Sequence, residues 1–243
     1  MSISIVAAGL AALLLLLAGP GVRLGLWSFR TGFGFLKWGA YLGLLAGAIA
    51  LIQLLVPRWR GARPSLLVLA VLLGALAAGV PWYWRRLAGQ VPPIHDISTD
   101  TADPPAFVAV LPLRAGASNP AEYGGPEIAA QQASAYPDIR PLVLPATAPG
   151  VAFTRARDAV RASGWSLVAA DSAAGRIEAT ATTGWFGFKD DVVVRIRPEG
   201  EGSRVDVRSV SRVGMSDVGT NARRIRAYLD RLRPAEGTAD ARR

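Results

Sequence analysis

The chain has 243 residues, with 27 Lys+Arg against 18 Asp+Glu, 51% hydrophobic residues, one histidine (His95) and no cysteine. That inventory excludes a disulfide framework, a zinc–thiolate site, a thiol nucleophile and any multi-histidine metal cage. The formal charge of +9 is unevenly placed, because residues 1–90 hold eight basic residues and no Asp or Glu, leaving 19 basic against 18 acidic in the remainder. Basic residues that flank apolar runs, rather than cluster on a folded domain, argue against nucleic acid as a partner.

Three uncharged apolar runs open the chain, over residues 2–19, 38–56 and 65–84. Spanning a bilayer takes about 20 apolar residues at 1.5 Å rise each, so residues 1–86 are expected to form a three-span membrane anchor with the lipid bilayer as partner. Pro20-Gly21 and Pro57 suit breaks after the first two helices. Trp27 with Arg30, Lys37 with Trp38, Arg58 and Arg60 around Trp59, and Trp82-Tyr-Trp84 before Arg85 and Arg86 match an interfacial belt. The first run lacks a clear cleavage site and is expected to be retained. Gly39, Gly43 and Gly47 share one helix face, which serves packing among the three spans in preference to dimerisation. The basic count slightly favours a cytoplasmic carboxyl domain, although Arg58, Arg60 and Arg63 crowd the shortest loop, where the rule acts most strongly.

Residues 87–105 read as an extended Pro-rich linker, 106–113 as a short edge strand, 126–136 as one or two helical turns, and 138–149 as an irregular Pro-rich path. Helical spacing over 150–163 precedes alternating segments at 165–170 and 176–183, then 192–197 and 204–211, each pair joined by a hairpin-length connection. A final helix is expected over 217–232, capped by Ser216 or Asp217. The predicted fold over 106–233 is α+β, an antiparallel sheet of about four strands with two helices packed on one face. Residues 234–243 are expected to be a disordered tail.

The strings Trp185-Phe-Gly-Phe-Lys-Asp-Asp191 and Arg208-Ser-Val-Ser-Arg-Val-Gly-Met-Ser-Asp-Val-Gly-Thr-Asn-Ala-Arg-Arg224 resemble domain-of-unknown-function family 1499, uncharacterised proteins of bacteria and plastids. The likeness covers roughly residues 92–233. Ile94-His-Asp-Ile-Ser-Thr-Asp100 and Tyr136-Pro-Asp138 look like its membrane-anchored bacterial branch. The resemblance implies no activity. Many relatives look like envelope or thylakoid-lumen proteins, which implies an inner-membrane protein with a periplasmic domain, against the marginal charge bias.

Asp190 and Asp191 are adjacent, so on a strand they point to opposite faces and cannot share an ion. Arg195, Arg197, Arg204, Asp206 and Arg208 alternate with apolar residues, and symmetric hairpin closure sets Arg195 opposite Asp206, an ion pair on a solvated face. Arg208, Arg212, Ser216, Asp217 and Asn221 converge at a strand end and helix start, suited either to an anion or to a fixed polar network in which Arg212 pairs with Asp190 or Asp191. Trp185, Phe186 and Phe188 form an aromatic loop, read as core or a docking plug. His95 and Asp96, with Asp100 and Asp103 nearby, could serve as a general base or partial metal site, but one His on a Pro-rich linker reads rather as a docking or turn residue; no metal or cofactor is expected, and nucleophile and nucleotide motifs are absent. The expectation is a non-enzymatic envelope module that binds a membrane-protein or anionic partner. Alternatives are a metal-dependent or other hydrolase using Asp190, Asp191 and Asp217, and direct anionic-lipid binding.

Overall fold

The computed structural model describes residues 2–60 and 62–233, and the tail expected over 234–243 lies outside the described residues. The chain divides into two compact units. One comprises residues 1–90 with 183–187, the other residues 91–182 with 188–243.

The first unit is built on α1 (Ile3–Arg23), α2 (Phe29–Leu55) and α3 (Pro64–Ala88), each long and apolar enough to cross a membrane. Pro20 does not end α1, which continues to Arg23. Proline removes one amide donor from a helix, a loss tolerated in apolar helices where neighbouring groups re-satisfy the backbone. The helices pack through small residues. A Cβ on Gly39 would lie 3.3 Å from the Ala11 carbonyl of α1, and one on Gly43 would lie 2.9 Å from the Gly74 carbonyl of α3. Gly47 also faces Gly74, so the glycine row serves close approach of backbones within one chain. The polar Gln53 is not left unsatisfied: its Oε1 accepts from Ser4 Oγ at 2.7 Å and Ser2 Oγ at 3.0 Å.

The second unit contains a six-stranded antiparallel sheet of β1 (Asp96–Ser98), β2 (Leu142–Leu144), β3 (Ser166–Asp171), β4 (Arg176–Thr182), β5 (Lys189–Glu199) and β6 (Gly202–Ser211). The order is β1-β6-β5-β4-β3, with β2 also paired to β6. The strand count therefore corrects the expected four. The two additional strands are three residues each and sit in segments read as Pro-rich irregular chain. They are held by the long β6 and lack a hairpin partner in sequence. Ile94 and Ile97, expected in a linker, are fully buried core residues. Residues 106–113 form no edge strand; they contribute instead to a cover over the sheet and include a 3-10 turn at Leu111–Arg114.

Period-2 alternation sends Ile177, Ala179, Val192, Val194, Ile196, Val205 and Val207 to one face. There they meet Phe153, Ala156 and Val160 of α5 (Pro149–Ala162) and Ile225 and Leu229 of α6 (Thr220–Leu232). Each large side chain so buried contributes roughly 1.5–3 kcal/mol. Trp165 stacks on Tyr228 at a centroid distance of 5.0 Å, and Tyr228 Oη donates to the Ala156 carbonyl at 2.8 Å, tying α6 to α5. A shorter helix, α4 (Gly125–Ala135), adds Gln132, whose amide exchanges hydrogen bonds with the Ser98 backbone at 2.9 and 2.6 Å and so anchors β1. The last helix begins at Thr220 rather than 217, because Asp217 acts from outside it as a cap.

Gly74→Leu should lower the thermal stability of the helical unit in detergent by about 1–3 kcal/mol, the cost of overpacking. Gly79→Leu, where nothing lies within 4 Å of an added Cβ, should leave the melting curve in place.

Candidate functional site

The same alternation puts Glu178, Thr180, Asp191, Val193, Arg195, Arg197, Arg204, Asp206, Arg208, Val210 and Arg212 on the sheet face away from α5 and α6. This face was expected to be solvated. It is instead covered in large part by residues 99–123, which seat Phe107 and Val110 on Val193 and Val210; Glu178, Asp191, Asp206 and Arg208 are buried, while Arg195, Arg197 and Arg204 stay partly exposed.

Charged and polar groups hold that cover. Glu178, 0% exposed, accepts from the amides of Val108 at 3.0 Å, Ala109 at 3.1 Å and Val110 at 2.8 Å. Its carboxylate thereby satisfies three turn amides that would otherwise be buried unpaired. Arg208 forms a bidentate pair with Asp96 at 2.9 and 2.7 Å and donates to the carbonyls of Pro105 and Ala121. Its guanidinium also lies 5.2 Å from the Phe107 ring centroid and 5.4 Å from that of Tyr123. Burial raises the Asp96 carboxyl above its ordinary pKa, with Arg208 offsetting only part of the rise. Arg195 stands opposite Asp206 in the ladder, and Arg195, Arg197 and Arg204 all converge on Asp206 and on Asp100 of the cover.

Asp191 is a fully buried carboxylate ringed by donors. It accepts from Arg114 at 2.6 Å, Arg212 at 2.9 and 2.8 Å and Thr180 Oγ1 at 2.7 Å. Burial pushes its pKa up, but the hydrogen bonds from Arg212, Thr180 and Arg114 outweigh that and hold it below the ordinary carboxylate value. Asp190 points to the other face and pairs with Arg224 of α6 at 2.5 Å. The two neighbours thus serve separate partners on opposite sides of β5.

Between β6 and α6 the chain makes a pinned loop. Asp217 accepts from the amides of Gly219 at 2.8 Å and Asn221 at 2.6 Å, occupying the helix start with a carboxylate. Burial raises its pKa, partly countered by those two amides. Ser216 Oγ accepts from the Val218 amide at 3.1 Å. Asn221 Nδ2 donates to the His95 carbonyl and to Ser211 Oγ, both at 3.0 Å, while its Oδ1 accepts from Ser209 Oγ at 2.7 Å. Asn119 of the cover donates to the carbonyls of Ser211 at 3.0 Å and Gly214 at 2.9 Å, and His95 Nδ1 lies 3.3 Å from the Met215 carbonyl. Val218 is held at φ 53°, a left-handed conformation unusual for a β-branched residue that costs about 1–3 kcal/mol and persists only where its surroundings over-determine it. At the tip, Met215 is 82% exposed.

The junction residues Arg208, Arg212, Ser216, Asp217 and Asn221 therefore lie in one connected region, with Asp190 and Asp191 reaching it through Arg224 and Arg212. The aromatic loop is elsewhere. Trp185 and Phe186 belong to the helical unit, where Trp185 lies over Gly19 of α1 and Phe186 meets Phe33 of α2 edge-on at 5.2 Å. Phe188 belongs to the sheet unit. Sequence reasoning missed Arg114, Asn119 and Glu178, and weighed Asp96 only beside His95, not as the partner of Arg208. Only for Glu178 was there a signal, a charged residue in the middle of an alternating strand. Among the described residues no group of three or more His, Asp or Glu is arranged to hold a metal ion.

Arg208→Ala, which strands the buried Asp96, should cost about 3–5 kcal/mol. Arg212→Ala should cost about 2–3 kcal/mol, less than a fully broken pair because Arg114 remains on Asp191. Both losses should appear as faster hydrogen exchange of the β5 and β6 amides in the intact protein. Since the folded pKa of Asp191 is depressed, the stability it contributes is present above its unfolded pKa, near 3.9, and is lost as pH falls towards the lower folded value. Acid melting curves should accordingly fall less steeply below about pH 4 in Asp191→Asn than in the wild type.

No curated protein matches the chain. A family pattern does, over residues 96–232, which run from the first residue of β1 to the last of α6 and leave out the apolar helices. On that match the chain belongs to the family described as protein of unknown function (DUF1499).

Proposed function

We propose that the chain is a membrane-anchored, non-enzymatic binding or assembly module of the cell envelope. In this reading α1, α2 and α3 cross the inner membrane and the sheet domain stands on the periplasmic side, offering the β6–α6 loop to a protein partner. One observation carries it. The carboxylates a hydrolase would use are committed, Asp190 to Arg224, Asp191 to Arg114 and Arg212, and Asp217 to two backbone amides. The same commitments favour a protein over a small anion, because Arg208 and Arg212 spend their donors on Asp96 and Asp191. What the junction leaves in solvent is Met215, a polarizable side chain that adapts to irregular apolar surfaces, on a loop pinned from both sides. The orientation is supported by Arg58, Arg60 and Arg63 in the short α2–α3 connection, where positive charge most strongly marks the cytoplasmic side.

A photo-crosslinking residue at position 215 of the intact protein in native membranes should give a discrete protein adduct, and one at exposed Thr154 should give none. Equal labelling at both positions, or none at 215, would count against the loop as the binding surface. The absence of native cysteine makes orientation directly measurable. With a membrane-impermeant maleimide on spheroplasts, Ser172→Cys should react and Arg63→Cys should be protected; the reverse pattern would place the domain in the cytoplasm.

A further inference from the structure

The α2–α3 connection carries Arg58, Arg60 and Arg63 within six residues, beside helices whose first 90 residues contain no acidic side chain. The three arginines do different things. Arg60 donates through Nε and Nη2 to the Leu54 carbonyl at 3.3 and 2.9 Å, closing the end of α2. The Arg58 guanidinium lies 5.9 Å from the centroid of the Trp59 ring. The Arg63 guanidinium has no hydrogen bond or ion pair among the described residues. Arg58 and Arg63 are both exposed. Beside them Leu55 is 71% and Trp59 56% exposed.

This is an unusual balance for a protein surface. In the sheet unit many arginines meet carboxylates, but here three arginines crowd six residues with no internal counter-charge. They lie at the very edge of the apolar helices, since α2 ends at Leu55 and α3 begins at Pro64. Guanidinium groups at that level stand where lipid phosphates stand, and their planar forks suit phosphate oxygens. An exposed indole and leucine alongside suit glycerol and upper acyl chain, as aromatic side chains do at bilayer interfaces.

We propose that this turn binds an anionic phospholipid, with Arg58 and Arg63 on the headgroup phosphate and Trp59 and Leu55 against the lipid's apolar part. The proposal rests on the membrane-spanning reading of α1, α2 and α3. The site is separate from the β6–α6 loop and takes lipid rather than protein.

The test uses the full chain reconstituted into nanodiscs of mixed phosphatidylglycerol and phosphatidylcholine, released into mild detergent, with retained lipid counted by native mass spectrometry. Wild type should retain phosphatidylglycerol preferentially. Arg58→Gln/Arg63→Gln, which keeps Arg60 on the α2 end, should retain about thirtyfold less, in line with an attraction of about 1 kcal/mol for each of two basic residues to an anionic surface. Arg85→Gln/Arg86→Gln, removing the same charge elsewhere, should retain as much as wild type, and millimolar inorganic phosphate should not displace the lipid. Equal retention by the first variant, equal loss in the second, or displacement by phosphate would overturn the site. Failure of the wild type to enter nanodiscs would instead remove the spanning reading beneath it.

Discussion

The sheet domain depends on how it neutralises carboxylates that folding takes out of water. An isolated buried ion costs several kcal/mol even after relaxation, so Asp191, Asp206 and Glu178 are tolerable only because each is surrounded by donors. Asp191 has two arginines and a hydroxyl, Asp206 has three arginines, and Glu178 has three backbone amides and Arg176. Many of those donors bridge the sheet and the segment over it. Neither layer is satisfied without the other: the cover has no regular strand of its own, and the charged face it encloses would otherwise lose partners for Asp191, Arg195 and Arg208. Such a layer adds little net free energy over an apolar one, but removing any single member is costly.

That arrangement gives a physical reading of the arginine excess. The chain has 25 arginines and two lysines. A lysine in place of Arg208 would offer a point charge with three donors, whereas the guanidinium serves both Asp96 oxygens and two carbonyls while lying between the Phe107 and Tyr123 rings. Several partners in one plane require the planar fork. Arg212 likewise bridges both oxygens of Asp191 and the Thr180 hydroxyl. These arginines are fasteners, which is why the anion-binding reading of the junction weakens once the geometry is seen.

Local rules made much of this legible. Period 2 assigned the faces of β4, β5 and β6, placed Asp190 and Asp191 on opposite sides, and set Arg195 opposite Asp206. The glycine row in α2 announced close helix packing, and uncharged length announced the helices themselves. What local rules do not carry is the partner across the fold. Asp96 and Arg208 are 112 positions apart and Arg114 and Asp191 are 77 apart, so no spacing in the sequence marks either pair. Polar alternation reads as a wet face because antiparallel sheets often leave one side in water. Here the covering segment meets that face through backbone groups, Asp100, Arg114 and Asn119 as well as through Phe107 and Val110, and a polar face buried beneath such a strap has the same sequence pattern as a solvated one. Three-residue strands such as β1 and β2 are hidden for a related reason, since their periodicity is too short to stand out and their order comes from β6.

The β6–α6 loop shows how the same fastening holds a strained backbone in place. A flexible connector could relax Val218 out of the left-handed region and recover the strain it carries. The structure keeps it there by anchoring both sides: Ser216 and Asp217 hold the amides of Val218, Gly219 and Asn221, while Asn119 holds the carbonyls of Ser211 and Gly214. Asn221 then ties the helix start to His95 and Ser211. Ordering entropy is a main cost of association, and a backbone fixed at so many points has little of it left to lose. In the reading proposed above, that retained strain is preorganisation for a partner contact at Met215.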